Sequence, residues 1–155
     1  MKARVILLTL AALFVGVTVC LAADNPQMGI WKLNEAKSRI SPGATKNTTV
    51  TYEAVGDQVK VTVDGVDGEG NPSHNEWTGK WDNKFYPVTG DPTSDMRSYR
   101  KINNHTLTLI AKKDGKITLT GRVVVTANGR TRTVTTTGTD AKGKRFSSRA
   151  VYDKQ

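Results

Sequence analysis

Cysteine is all but missing from this chain: Cys20 is the single one in 155 residues. That excludes a disulfide framework and any zinc or iron–sulfur site built on several cysteines. Histidine is nearly as scarce, with only His74 and His105. His74 and Glu76 stand at the i, i+2 spacing of one strand face, but no third ligand accompanies them, so no metal is expected. Neither histidine has a partner suited to general-base work, and no serine sits in a Gly-x-Ser-x-Gly elbow. The expectation is a protein that is not an enzyme and carries no cofactor. Acidic residues are few as well: 14 Asp and Glu against 23 Lys and Arg, a net charge of +9. Such a balance suits an anionic surface as partner. The cations are scattered, with no run of them and no basic stripe interleaved with aromatics, so no specific nucleic acid is expected.

Long apolar runs are absent too, except at the start. Lys2 and Arg4 precede an apolar stretch from Val5 to Val19, and Cys20-Leu21-Ala22-Ala23 offers small residues before Asp24. This is the layout of a secretory signal peptide, with cleavage after Ala22 or Ala23. The stretch is shorter than the ~20 residues of a spanning helix. Val19 before Cys20 also departs from the small residue that a lipoprotein signal places there. Residues 1–23 therefore read as a cleaved leader, and 24–155 as one domain, secreted or periplasmic. That domain has no transmembrane segment and no cysteine, so packing and strand pairing must hold it together.

What the remainder has in abundance is turn signals. Gly56-Asp57, Asp67-Gly68, Asp82-Asn83, Gly90-Asp91, Asn103-Asn104, Asp114-Gly115, Asn128-Gly129 and Asp140 to Gly143 recur at intervals of roughly 8–15 residues. Short Val-, Thr-, Ile- and Leu-rich stretches lie between them. Val59, Val61 and Val63 alternate with Lys60, Thr62 and Asp64, which marks a sheet with one buried side. Ile117, Leu119, Gly121, Val123 and Val125 form a second such face. Asn128-Gly129 reads as a type I′ hairpin turn. Pro87, unable to donate to a ladder, suggests an edge or a bulge. Asn34 could cap a single helical turn before Pro42-Gly43 breaks it. The fold class is all-β, an antiparallel up-and-down meander of about ten strands. An open sheet of that size leaves edges that invite aggregation, so closure into a small barrel is expected.

Gly29-Ile30-Trp31 opening the first strand, the short irregular segment after it, the strand count and the closing Ala150-Val151-Tyr152-Asp153-Lys154 resemble the lipocalin and fatty-acid-binding-protein superfamily. The opening also looks like that of uncharacterised secreted bacterial proteins. The resemblance implies that Trp31 lies across the closed bottom of the barrel. It also implies a small, partly apolar ligand inside. There are departures. Residues 34–47 are too short and broken for a two-helix lid. The Arg-x-Tyr carboxylate clamp of that superfamily is replaced by Arg149-Ala150-Val151-Tyr152, whose spacing turns Arg149 and Tyr152 to opposite faces. If Tyr152 points inward, Arg132 on the preceding strand, beside Val134, is a possible substitute cation; the alternative is an outward, solvated arginine.

Trp77 and Trp81 stand four apart, and Phe85 follows just past a turn. Two indoles on one inner wall could form the apolar bed of a pocket, or they could fill the core. The candidate ligand-binding set is therefore Trp77, Trp81, Phe85, Arg132 and Tyr152. The function expected is binding of a small apolar or amphiphilic molecule. The competing expectation is a filled barrel acting through its basic exterior on an anionic or protein partner. The Thr-rich strand from Thr131 to Thr139 is either exposed or lines a polar cavity.

Overall fold

The computed structural model describes residues 25–140 and 142–155. The expected leader, residues 1–23, lies outside the described residues. Ten strands follow in order: β1 (Gly29–Leu33), β2 (Lys46–Val55), β3 (Gln58–Val66), β4 (Pro72–Gly79), β5 (Asp82–Thr89), β6 (Met96–Asn103), β7 (Thr106–Lys113), β8 (Lys116–Val125), β9 (Thr131–Thr139) and β10 (Arg145–Lys154). Each pairs antiparallel with the next, and β1 pairs with β10 to close the barrel. This up-and-down closed barrel is consistent with the calycin-like architecture that the resemblance implied. Closure pairs both edges of the meander, and only the gap between β4 and β5, joined by two residue pairs, keeps unpaired strand edge.

Strand alternation sorts the side chains. Val61, Val63, Trp77, Tyr99, Leu107, Leu109, Val123, Val125, Ala150 and Tyr152 are buried and pack as one core. Most of their neighbours in sequence are more exposed, though Ser98, Thr106 and Val151 are buried as well. Cross-strand register stacks the inward residues: Val61 opposite Trp77, Leu107 opposite Val123, and Arg132 opposite Tyr152. Trp31 is fully buried, and its Nε1 donates to the Gln27 carbonyl at 3.0 Å. The Lys154 ammonium lies 5.3 Å from the same ring. Between β1 and β2, a single 3₁₀ turn (Glu35–Lys37) is capped by the Asn34 side chain, which accepts from Lys37 N–H.

Several local expectations change. Asn128-Gly129 does not make a type I′ turn, because among the described non-glycine residues only Asn83 and Asp114 have positive φ. Gly129 alone is left-handed there. Asn128 instead accepts through Oδ1 from the Thr126 hydroxyl and from Arg130 N–H. The pair with two positive φ angles is Asp114-Gly115, at 50° and 76°. Ile117 is 59% exposed rather than part of the core face, because a register shift between Ala111 and Lys112 carries it to the rim beside Lys112. Pro87 lies on β5, whose ladder with β4 holds only Glu76–Thr89 and Trp77–Val88. The missing proline N–H fits that short pairing.

Candidate binding cavity

The barrel is not filled by its own side chains. A cavity of about 590 Å³ opens between the loops that contain Gly43, Gly68, Asp91 and Asp140 and runs inward to Arg132 and Tyr152. Its middle is walled by Val50, Val63, Leu109, Val123, Val134 and Ala150, the inward positions of six strands.

Arg132 sits where β9 meets β10. Alternation with Val134 and Thr136, which also line the cavity, turns it inward, and it is 1% exposed. Its guanidinium carbon lies 4.9 Å from the ring centres of Trp31, Tyr52 and Tyr152. Three ring faces stabilise the cation, at about 0.5–2 kcal/mol for a favourable contact. They do not satisfy its N–H groups: Nε and Nη1 are buried with no protein acceptor. No carboxylate pairs with Arg132 among the described residues. Arginine cannot shed its charge. The cation is thus caged by aromatics, with no carboxylate of the described residues beside it.

The tyrosines respond to this setting. Burial pushes the Tyr152 phenol up to about 12, with the Arg132 charge pulling in the other direction. Burial raises Tyr52 well above the ordinary phenol range, reinforced by the neighbouring Tyr99 and opposed by Arg132. Both rings are therefore neutral at physiological pH and offer no counter-charge. The Tyr152 hydroxyl donates to the Asn47 carbonyl at 3.1 Å, which fixes that ring beside the guanidinium.

Nearer the mouth lies a second buried arginine with a different fate. Arg97 on β6 donates through Nη2 to Asn75 Oδ1 at 3.3 Å and to Asp91 Oδ2 at 3.2 Å. Asp91 also accepts from the Thr93 and Ser94 hydroxyls, at 2.8 and 2.5 Å. Arg97 is thereby neutralised, and it ties the β5–β6 loop to the barrel wall.

Of the residues singled out from the sequence, Arg132 and Tyr152 meet at the inner end of the cavity, with Trp31 beneath Arg132. Trp77, Trp81 and Phe85 do not line it. Trp77 is 1% exposed within the core, donates through Nε1 to the Arg97 carbonyl at 2.9 Å and stacks edge-on with Tyr99. Trp81 lies past the end of β4 and packs edge-on against Tyr52. Phe85 faces outward under the Lys112 ammonium, 3.9 Å from its ring centre. Arg149 points out and donates to the Lys37 carbonyl, opposite in sense to Tyr152. The sequence reading passed over Tyr52, Arg97 and Tyr99. The i, i+2 spacing of Arg97 and Tyr99 was the available signal. A comparison of the chain with protein-family models finds no match, and none of the curated proteins matches it.

Proposed function

We propose that this protein binds a small amphiphilic molecule inside its barrel, with an anionic group, foremost a carboxylate, placed on Arg132 and an apolar portion along the valine- and leucine-lined wall. The observation that carries the reading is the guanidinium at the inner end of the cavity, buried without a counter-ion. Taking an ion out of water costs several kcal/mol, roughly, and an anionic ligand beside the guanidinium would supply the counter-charge. The cavity, about 590 Å³, falls within the range of small-molecule sites. That volume favours a binder over a filled barrel acting only through its exterior. The reading agrees with a lipocalin- or fatty-acid-binding-like carrier, secreted or periplasmic, with Arg132 and Tyr152 from adjacent strands in place of an Arg-x-Tyr on one strand. It assigns no catalytic residue.

The test compares three probes with one alkyl chain: dodecanoate, dodecanol and dodecylammonium, titrated by calorimetry. Dodecanoate should bind at least tenfold more tightly than dodecanol, and dodecylammonium should not bind. Equal affinity for all three, or binding of none, overturns the reading.

A further inference from the structure

The outer wall of the barrel carries a pattern that the sequence does not display. On β6, β8 and β10, Arg100, Arg122 and Arg149 are exposed. They fall in one hydrogen-bonded row across the sheet. Arg100 pairs with Thr108, Thr108 with Arg122, Arg122 with Thr135, Thr135 with Arg149, and Arg149 with Arg39. Strands lie about 4.8 Å apart, so Arg100, Arg122 and Arg149 recur about every 10 Å over a span of about 19 Å, with a threonine between neighbours, and Arg39 follows directly beside Arg149.

No ion pair among the described residues neutralises this row. The residues in the rows on either side are Thr, Ser, Asn, Val and Ile, none of them charged. Asp82, opposite Arg100, ends the row on one side. The other half of the barrel is built differently: Lys60 pairs with Glu76 at 2.8 Å, His74 with Asp64 at 2.7 Å, and Lys80 with Asp57. Arg39, Arg122 and Arg149 also border a shallow groove with Thr120, Thr137 and Ser147.

We propose that this belt is a docking surface for an extended acidic polysaccharide, whose sulfate or carboxylate groups contact the arginines and whose hydroxyls contact the threonines between them. Charge complementarity calls for an anionic partner. The curvature calls for a flexible chain, because a flat bilayer would touch only part of a row that follows the barrel wall. The belt also contains no aromatic residue on which bases could stack, which disfavours single-stranded nucleic acid. Arginine rather than lysine suits planar oxyanions through its paired N–H groups. The site is separate from the interior cavity and stands whether or not that cavity holds a ligand.

Heparin serves as the probe, with a single-stranded oligonucleotide and anionic phospholipid vesicles as comparisons, all titrated at several salt concentrations. The variants are Arg122→Gln alone and Arg100→Gln/Arg122→Gln/Arg149→Gln together. A control, Lys84→Gln/Lys116→Gln/Lys144→Gln, removes the same charge from exposed positions off the belt. The belt triple variant should lose heparin affinity about tenfold or more, and its salt slope should fall by about 0.7 for each arginine removed. The control should change affinity less than threefold. Unchanged circular dichroism and melting temperature would show that every variant is folded, and Arg122→Gln alone, which removes no hydrogen bond to the backbone, should still weaken binding measurably. Equal losses in belt and control variants would reduce the effect to net charge and overturn the proposal. Tighter binding to the oligonucleotide or to vesicles than to heparin would overturn it as well.

Discussion

Replacing Arg132 with methionine should make the empty protein more stable and abolish its preference for an anionic ligand. Methionine keeps most of the unbranched stem and drops the charge. Two guanidinium nitrogens are buried without a protein acceptor, and each such group costs about 1–3 kcal/mol. Against this stand the contacts to Trp31, Tyr52 and Tyr152, together worth about 2–3 kcal/mol. The difference favours Arg132→Met by about 1–2 kcal/mol, or a melting temperature higher by several degrees, on the order of 3–8 °C for a domain of this size. Ligand reverses the order. Dodecanoate at a hundred times its dissociation constant should stabilise the parent protein by about 2.7 kcal/mol and the variant, binding at least tenfold more weakly, by about 1.4 kcal/mol or less. Scanning calorimetry with and without dodecanoate reads all four values. A variant that melts below the parent when empty, yet gains as much from dodecanoate, would show the guanidinium to be a structural pin in its aromatic cage, and the reasoning would be wrong.

Three further outcomes are expected. Tyr152→Phe removes the hydrogen bond to the Asn47 carbonyl and should destabilise the fold by about 1 kcal/mol, read by urea unfolding. Gly79→Ala would place a Cβ 2.6 Å from the Tyr86 ring and 2.7 Å from that of Trp77. Because two packed rings must give way, the cost should be about 1–3 kcal/mol, with near-ultraviolet dichroism altered at the indole. The His74 ring is held above its ordinary 6.5 first by its hydrogen bond to Asp64, with Glu76 adding and Lys60 opposing. Its stabilising contribution is therefore complete below pH 6.5 and is lost as pH rises through the folded-state value. An NMR titration of the ring should show a midpoint above 6.5 that moves back down in Asp64→Asn; no movement would refute the pairing.

Much of the architecture was legible because strand alternation and turn chemistry act over a few residues. Val59, Val61 and Val63 announced a half-buried strand, and Asn34 announced its cap. The opposite facing of Arg149 and Tyr152 followed from their spacing alone. Turn type was less secure. Asn128-Gly129 and Asp114-Gly115 are both good two-residue signals, and only loop length with side-chain bonding separated them. Ile117 misled because a bulge in its own strand, with Thr118 as the extra residue, moved it to the rim.

The sequence by itself determined a cysteine-free, basic, all-β domain of about ten strands, since composition and period-two alternation are properties of neighbouring residues. Tertiary structure alone decided what faces what. Trp77 and Phe85 carry the same aromatic promise in the sequence, yet closure of the barrel buries one and leaves the other under Lys112. Arg132 gains its place above Trp31 and between Tyr52 and Tyr152 from strands far apart in the chain. The belt of Arg39, Arg100, Arg122 and Arg149 exists only through register. Register is set by pairing across the whole barrel, and a one-residue slip in any strand would turn its side chains to the other face.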